Sequence, residues 1–183
     1  PPDQVSKDLR GQSKKWSFNP LYGGLGAGEA EHIQNYFKQF FVIYSDLKNY
    51  QRKLMDGVLE NGIVKSPSGR QYFWPDPKRY GNGRISNATQ VVNYPVQGFG
   101  NDLVQMACVR AHRRFQELDL KSLLILTVHD SIVCDTHPDE KDIVNNTLTW
   151  AMTGVLDEAE ERWDYKFPLP LEIEIEAGKT WLN

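Results

Sequence analysis

The spacing of apolar residues predicts several long helical stretches in the 183-residue chain, three of them in its first 118 residues. Residues 6–19 form the first, and Pro20 should end or kink it because proline lacks an N–H and its ring clashes with the preceding turn. From about residue 29 to 59 apolar residues recur at helical spacing, and the length of this stretch predicts a break near residues 41–45. Residues 98–118 should form another helix with one apolar stripe, made of Leu103, Ala107, Ala111 and Phe115.

Two pairs of short runs predict β-hairpins. Residues 62–65 and 70–74 flank a Ser-Pro-Ser-Gly turn, and residues 122–128 and 131–135 place His129 and Asp130 at a second tip. Residues 75–87 are rich in proline, glycine and asparagine and predict an exposed loop. A helix should then begin within residues 136–140 and continue to Trp163. Leu169–Ile175 should form the last strand of the chain. Strand runs separated by long helices predict an α+β fold.

The composition is that of a globular domain with a core. Hydrophobic residues make up 40% and charged residues 25% of the chain, which are ordinary values for a packed domain. The longest apolar run, Leu123–Leu126, is far too short to span a membrane, so no membrane partner is expected. We see no signal peptide. The two cysteines, Cys108 and Cys134, fit a reducing compartment.

The charge is distributed unevenly along the chain. Residues 1–53 carry eight basic and five acidic side chains, residues 54–121 nine and six, and residues 122–183 four and thirteen. The first two segments are therefore each +3 and the last is −9, within a net charge of −3. A nucleic-acid or phosphate partner would meet the basic two thirds. The alternative is that solvated helix faces simply differ in charge.

Four residues at steps of four share one face of the first predicted helix: Arg10, Lys14, Phe18 and Tyr22. Successive members drift by only about 40° around the helix axis. Two cations followed by two aromatic rings suit a nucleoside triphosphate, because Lys and Arg neutralise phosphate oxygens and a ring stacks on sugar or base. The alternative is an amphipathic surface helix with solvated cations and aromatic residues facing the core.

Three further stretches have residue types that can bind metal, nucleic acid or phosphate, and each is compared with a purely structural role. Asp130 lies on a predicted tight turn that would hold its carboxylate in a fixed position, as a Mg²⁺ ligand requires. Asp is also a common turn residue, which is the structural alternative. Asn93 and Gln97, in an approach stiffened by Pro95, could read base edges or could belong to a loop that caps the next helix. The glycine-rich run at 23–28 lacks the Lys and Ser/Thr of a phosphate-binding loop and is interpreted as a hinge.

Together these stretches resemble DNA polymerase family A, the DNA polymerase I-like group. The helix pattern Arg10-x₃-Lys14-x₃-Phe18-x₃-Tyr22-Gly23 is similar to the family's motif B in the fingers, and Val128-His129-Asp130 resembles motif C. Three more stretches follow the family's order: Gly69-Arg70 with Tyr72 and Pro75, Asn93-x-Pro95-Val96-Gln97-Gly98 with Asp102-Leu103, and Leu169–Glu174 with Gly178 and Trp181.

The resemblance implies a fold and a set of residue roles. Residues 1–61 would be the helical fingers, and residues 62–183 part of an antiparallel-sheet palm. Arg10 and Lys14 would hold the incoming deoxynucleoside triphosphate, Phe18 would pack against its sugar, and Tyr22 would lie at the templating base pair. Primer–template DNA would be contacted by Arg70, Asn93, Gln97 and His129. Asp130 would bind catalytic Mg²⁺, with Lys14 and His129 also in the catalytic set.

The sequence departs from the family pattern in ways that affect the expected activity. Only nine residues precede Arg10, so motif A, which carries a second essential Asp, and the thumb are expected on a separate polypeptide. The isolated chain is therefore expected to be inactive. Thr89 stands where the family has Arg, and Ser131 stands where an acid often follows His-Asp. Two alternatives stay open: a non-catalytic nucleic-acid-binding remnant, and a phosphate-binding module unrelated to polymerases.

Overall fold

A computed structural model describes residues 6–24, 28–81 and 83–180 of the chain. Leu25, Gly26 and Ala27 of the predicted hinge, and Trp181 of the carboxy-terminal similarity, lie outside the described residues. The elements are, in chain order, α1 Lys7–Leu21, α2 Glu31–Ile43, α3 Ser45–Asn61, β1 Ile63–Lys65, β2 Gln71–Phe73, α4 Ala88–Glu117, β3 Leu123–Val128, β4 Ser131–Asp135, a 3₁₀ turn Pro138–Glu140, α5 Lys141–Thr153 and α6 Val155–Trp163. This mixture confirms the predicted α+β class.

Helix α1 begins at a conventional cap and continues through its proline. The Ser6 hydroxyl accepts a hydrogen bond from the Leu9 N–H at 3.2 Å, which satisfies one of the free donors at a helix N-terminus. The prediction that Pro20 ends or kinks the helix near residue 19 is wrong in its end point, because α1 extends to Leu21. Pro20 lies buried in the last turn, so the hydrogen bond lost with its missing N–H is close to the end of the helix.

The predicted break in the second helical stretch is confirmed. Helix α2 ends at Ile43, and α3 begins at Ser45 with Tyr44 between them. Helix α3 ends at Asn61, and Gly62 follows it with a φ of 68°, the left-handed conformation that glycine adopts without strain. The chain enters the predicted first hairpin directly, with Ile63 opposite Phe73 and Lys65 opposite Gln71.

Helix α4 is longer than predicted. It begins at Ala88 rather than near residue 98, so Asn93 and Gln97 lie on a helix and not in a loop before it. Pro95 removes one backbone donor, but buried residues before and after it, such as Val91 and Phe99, hold both parts of the helix in apolar cores. Packing therefore outweighs the local preference of proline. The predicted stripe of Leu103, Ala107, Ala111 and Phe115 is buried as expected.

The carboxy-terminal third confirms one prediction and corrects two. Strands β3 and β4 pair antiparallel from Leu123 opposite Asp135 to Val128 opposite Ser131, as predicted. The single helix predicted up to Trp163 is divided at Gly154 into α5 and α6. Leu169–Ile175 is not a strand, because a strand requires a partner for its backbone groups, and within the described ranges β3 and β4 pair only with each other.

The chain forms two compact units, each with its own core. The first comprises Pro1–Lys65 with Gln71–Val96, and the second comprises Ser66–Arg70 with Gln97–Asn183. The first core contains Val58, Val64, Trp74, Ile85, Ala88 and Val91. The second contains Phe99, Leu103, Ala107, Val155 and Ala159. Burial of Ile85, which bridges to Arg79, corrects the prediction that residues 75–87 are an exposed loop throughout.

No helix in the described parts of the chain combines the length and apolar character needed to cross a membrane.

Candidate functional site

The predicted cationic and aromatic face is present on α1. The Lys14 Nζ lies 5.8 Å from the centroid of the Phe18 ring. The rings of Phe18 and Tyr22 are stacked, with centroids 6.1 Å apart and planes inclined by 11°. Arg10 is exposed one turn before Lys14, and Phe18 retains 42% of its surface exposure. This face offers positive charge followed by an accessible aromatic platform.

Two residues that the sequence reasoning missed hold the end of this face. The buried side chain of Gln51, on α3, donates from its Nε2 to the carbonyls of Pro20 at 2.8 Å and Leu21 at 3.0 Å. Arg84 donates from Nη2 to the Gly23 carbonyl at 2.8 Å. These bonds hold the carbonyls of the last turn of α1 and of the chain just after it, and they fix the backbone on both sides of Tyr22. No spacing along the sequence indicates either contact.

The β3–β4 hairpin carries His129 and Asp130 at its tip, as predicted. Val128 pairs with Ser131, so the two residues form the whole connection. His129 has a φ of 55°, in the left-handed region that non-glycine residues rarely adopt. Both side chains are exposed. The tight connection therefore presents an imidazole and a carboxylate to solvent from a fixed backbone.

A carboxylate also fixes the base of this hairpin. Glu140 accepts hydrogen bonds from the Lys121 N–H and the Ser122 N–H at 2.9 Å each, and from the Ser122 hydroxyl at 2.6 Å. The Ser122 Oγ in turn accepts from the His137 N–H at 2.9 Å. The hydrogen bonds from the Ser122 hydroxyl and the Lys121 N–H lower the pKa of Glu140 to about 2. We refer to Lys121, Ser122, His137 and Glu140 as the hairpin clip.

Arg70 is bound within its own unit. Its guanidinium forms an ion pair with Asp102 on α4, in which Nε donates to Oδ1 at 3.1 Å and Nη2 donates to the same oxygen. The Ser68 hydroxyl donates to the other carboxylate oxygen. Burial alone would raise the pKa of Asp102, but the hydrogen bonds from Arg70 and Ser68 and the Arg70 charge lower it. Half of the Arg70 side chain stays exposed.

Asn93 and Gln97 lie one helical turn apart on α4. Gln97 is exposed. Asn93 is half-buried, and its Oδ1 atom is buried without a hydrogen-bond partner among the described residues. A buried acceptor of this kind costs free energy unless something donates to it.

The described residues do not gather a complete metal site. No three side chains of His, Cys, Asp or Glu converge within residues 6–24, 28–81 and 83–180. Asp130 has the hard oxygen donors that Mg²⁺ prefers, so it fits as one ligand of such a site. The two cysteines are free, and burial raises the pKa of Cys108 and, with the neighbouring Cys108, raises that of Cys134 to about 11.

The predicted residues are distributed over both compact units. Arg10, Lys14, Phe18, Tyr22 and Asn93 belong to the first, whereas Arg70, Gln97, His129 and Asp130 belong to the second. Within the first unit α1 carries Arg10, Lys14 and Phe18, and Tyr22 follows as its C-cap residue. Within the second, Arg70 is held by Asp102, and His129 and Asp130 share one turn.

Comparison with known proteins decides the family. The profile of DNA polymerase family A matches residues 1–183. The chain belongs to DNA polymerase family A. This membership excludes the phosphate-binding module unrelated to polymerases.

The relatives of this family A chain are much longer than the chain itself. It is 25% identical over 185 residues to DNA polymerase I of Caldicellulosiruptor bescii, a match that covers 97% of the chain and 21% of that protein. It is 26% identical over 187 residues to DNA polymerase I of Lactococcus lactis subsp. lactis, covering 98% and 20%. A DNA polymerase of Bacillus phage SP01 is 28% identical over 192 residues, covering 98% and 21%. The family A chain thus spans about a fifth of the length of these relatives.

A solved structure shares the fold. The chain superposes with a TM-score of 0.79 on the POL domain of Pol1 from M. smegmatis, a structure in complex with DNA primer–template and dNTP. The match covers 99% of this family A chain and 32% of that one, at 22% sequence identity.

Proposed function

We propose that the chain takes part in template-directed DNA synthesis as the fingers and part of the palm of a family A DNA polymerase. Residues 1–61 would be the fingers and residues 62–183 the palm part. The observation that carries the proposal is the continuous face of Lys14, Phe18 and Tyr22 on α1, in a chain that the family profile matches throughout.

The side chains of α1 would bind and orient the nucleotide. Arg10 and Lys14 would neutralise its phosphate oxygens, and Phe18 would pack against the sugar. Tyr22, held between the carbonyl contacts of Gln51 and Arg84, would lie at the templating base pair. Charge neutralisation and positioning, rather than a covalent intermediate, would supply the rate.

The remaining predicted residues would hold DNA and metal. Arg70, Asn93, Gln97 and His129 would contact the primer–template. Asp130 would be one carboxylate ligand of Mg²⁺, and its fixed position at a two-residue connection suits that role. Mg²⁺ held by Asp130 would supply electrostatic stabilisation of the charge that develops when a primer 3′-hydroxyl displaces pyrophosphate at the α-phosphate.

The proposal includes a second polypeptide that carries motif A and the thumb. Two-metal chemistry requires more than one carboxylate, and the described residues gather no set of metal ligands around Asp130. The long relatives have about four fifths of their length outside the match. In the proposed assembly this chain would act in the cytoplasm of a bacterium or of a phage-infected cell.

Primer extension tests the proposed function. The purified chain with Mg²⁺, primer–template and deoxynucleotides should not extend the primer. Addition of a polypeptide that carries the motif A strand and the thumb of a family A relative should produce extension. Robust extension by the chain alone would refute the need for a partner, and none with any such partner would refute the assignment.

Asp130→Ala is the residue-level test in the complemented enzyme. Loss of a metal carboxylate should reduce turnover by a factor of about 10³ or more while DNA affinity changes little, because metal ligation alone is removed. Asp135→Ala, at the exposed far end of the same hairpin, is the matched control and should retain activity. Turnover by Asp130→Ala within tenfold of the parent would show that Asp130 is not the metal ligand.

A non-catalytic remnant is the second candidate, and Ser131 beside Asp130 favours it because an acid often stands there in the family. Such a remnant would bind DNA in a salt-dependent manner without Mg²⁺-dependent nucleotide binding. Titration of the complemented assembly with labelled deoxynucleotide, with and without Mg²⁺, separates the two candidates.

A further inference from the structure

The last turn of α1, between Phe18 and Tyr22, lacks one of the hydrogen bonds of a regular helix. Pro20 lies within this turn and has no N–H, so it cannot donate to the carbonyl of Trp16 one turn earlier. A helix that loses such a bond is more easily bent at that point. The direction in which Tyr22 leaves the helix therefore depends on the other contacts that hold this turn.

The backbone closes the helix with two hydrogen bonds of its own. The Gly23 N–H donates to the Pro20 carbonyl at 3.2 Å, and the Gly24 N–H donates to the Asn19 carbonyl at 2.8 Å. Gly23 has a φ of 83°, so the ending is the Schellman arrangement of a helix C-terminus. That arrangement itself provides no donor for the carbonyl of Leu21.

Gln51 provides a donor for that carbonyl from another helix. Its Nε2 donates to the Leu21 carbonyl at 3.0 Å and to the Pro20 carbonyl at 2.8 Å, and a side-chain amide has two N–H groups with which to make both bonds. Only 4% of the surface of Gln51 is exposed, so little water competes for these bonds. Val58, two turns later on α3, is fully buried in the first core, which makes α3 a firm support.

The bond to Leu21 acts directly on Tyr22. The Leu21 carbonyl belongs to the planar peptide unit that joins Leu21 to Tyr22, so Gln51 fixes the plane from which the Tyr22 side chain projects. Arg84 holds the carbonyl of Gly23, on the other side, at 2.8 Å. The backbone of Tyr22 is thus held both before and after its side chain.

We propose that Gln51 is a positioning residue that holds the Tyr22 ring in one orientation. Gln51 belongs to none of the family motifs identified in the sequence, and it acts only through the carbonyls before Tyr22. The consequence rests on the proposed function, in which Tyr22 lies at the templating base pair. A ring held in one orientation accepts a correctly paired nucleotide and excludes a mispaired one of different shape, because positioning by a rigid group does not adapt to the wrong geometry.

Fluorine NMR of the full 183-residue chain, with fluorotyrosine at residue 22 only, tests the positioning. The parent should give a single narrow resonance. Gln51→Met keeps the length of the side chain but donates no hydrogen bond, and it should shift or broaden the resonance. Val58→Ala is the matched control on the same helix, since it weakens the core and leaves the bonds of Gln51 in place. Its resonance should match that of the parent.

Two outcomes of this measurement would overturn the proposal. An unchanged resonance in Gln51→Met would mean that Tyr22 is positioned without the amide. Equal broadening in Gln51→Met and Val58→Ala, at the loss of stability that urea unfolding measures for each, would mean that stability alone controls the ring. If Gln51→Met does not fold, Gln51→Asn, whose amide is withdrawn by one methylene group, gives the same readout.

Primer extension by the complemented enzyme tests the consequence. Gln51→Met should lower the ratio of kcat/KM for the paired over the mispaired nucleotide by about tenfold. The KM for the paired nucleotide should change less than about twofold, because Arg10 and Lys14 still hold its phosphates. An unchanged ratio beside an altered fluorine resonance would overturn the role in discrimination. Absence of extension by the parent with its partner would count against the proposed function alone, because the fluorine measurement uses no partner.

Discussion

The backbone conformation of His129 is strained, whereas a glycine would adopt the same conformation without strain. Its φ of 55° brings the Cβ atom close to the following carbonyl. Strain of this kind persists where the surrounding structure imposes it, and it is frequent at functional sites. Here the two-residue connection between Val128 and Ser131 imposes it.

Comparison of His129→Gly with His129→Ala measures this strain. Both variants remove the imidazole, but only glycine adopts the left-handed conformation freely. We expect His129→Gly to have a free energy of unfolding about 1 kcal/mol higher than His129→Ala. Urea unfolding followed by circular dichroism provides both values. Equal stability would mean that the backbone at this position is not strained.

Single residues also show where sequence reasoning reached its limit. Arg10, Lys14, Phe18 and Tyr22 were found from a step of four, which is a local property of a helix. Gln51 could not be found in this way, because its partner carbonyl at Pro20 lies 31 residues earlier in the chain. A polar residue on a predicted helix gives no sign of being buried.

At the scale of elements, the junction of α5 and α6 depends on the absence of a side chain. A Cβ atom at Gly154 would lie 2.8 Å from the Arg110 Nη2 and 2.9 Å from the Trp150 carbonyl oxygen. Arg110 cannot move away freely, because it forms an ion pair with Glu158 at 3.2 Å and its guanidinium carbon lies 4.4 Å from the centroid of the Trp150 ring.

Gly154→Ala should therefore destabilise the chain by about 1–2 kcal/mol, as overpacking does. Gly57→Ala is the matched control within α3, where no atom lies within 4 Å of the added Cβ. There the better helix propensity of alanine should stabilise by about 0.5–1 kcal/mol. Thermal or urea unfolding of both variants shows whether the free energy of unfolding falls or rises relative to the parent chain. Stabilisation by Gly154→Ala would show that Arg110 and the helix junction rearrange easily.

The hairpin clip predicts a specific response to acid. The pKa of Glu140 in the folded chain, about 2, lies below its ordinary value of 4.5. The carboxylate therefore contributes stability that is fully present above pH 4.5 and is lost as the pH falls towards 2. Glu140→Gln should be less stable at neutral pH and should lose less stability over this interval than the parent chain.

Melting temperatures measured from pH 7 to 2 test this prediction. Glu161→Gln, which changes an exposed glutamate on α6, is the control and should follow the parent curve. The same acid dependence in Glu140→Gln and in the parent would show that the clip does not couple protonation to folding.

Helices and strands were predicted correctly where periodicity and turn chemistry within a few residues determine them. They were predicted incorrectly where contacts with residues distant in the sequence determine whether the element forms. The break at Tyr44 and the tip at His129 follow from periodicity and turn chemistry. Pro95 was expected outside a helix, yet burial of its neighbours in two cores keeps it inside α4. The alternating Leu171–Glu176 stretch has a strand pattern, but within the described residues no strand pairs with it.

At the scale of the whole molecule, the charge and the predicted contacts are unevenly distributed along the chain. The basic first two thirds contain every predicted nucleotide contact, and Asp130 lies in the acidic last third. Family A membership of all 183 residues explains why weak motifs occur in one order. The 183 residues span about a fifth of the length of the relatives.

The sequence by itself determined the α+β class, the shared face on α1, the hairpin that carries His129 and Asp130, and the family. These depend on spacing over a few residues, and short-range geometry fixes such features whatever surrounds them. Only the tertiary structure decided that α4 continues through Pro95 and that Gln51 holds the end of α1. Each of these results from contacts between residues far apart in the chain, whose burial and charge cannot be derived from local periodicity.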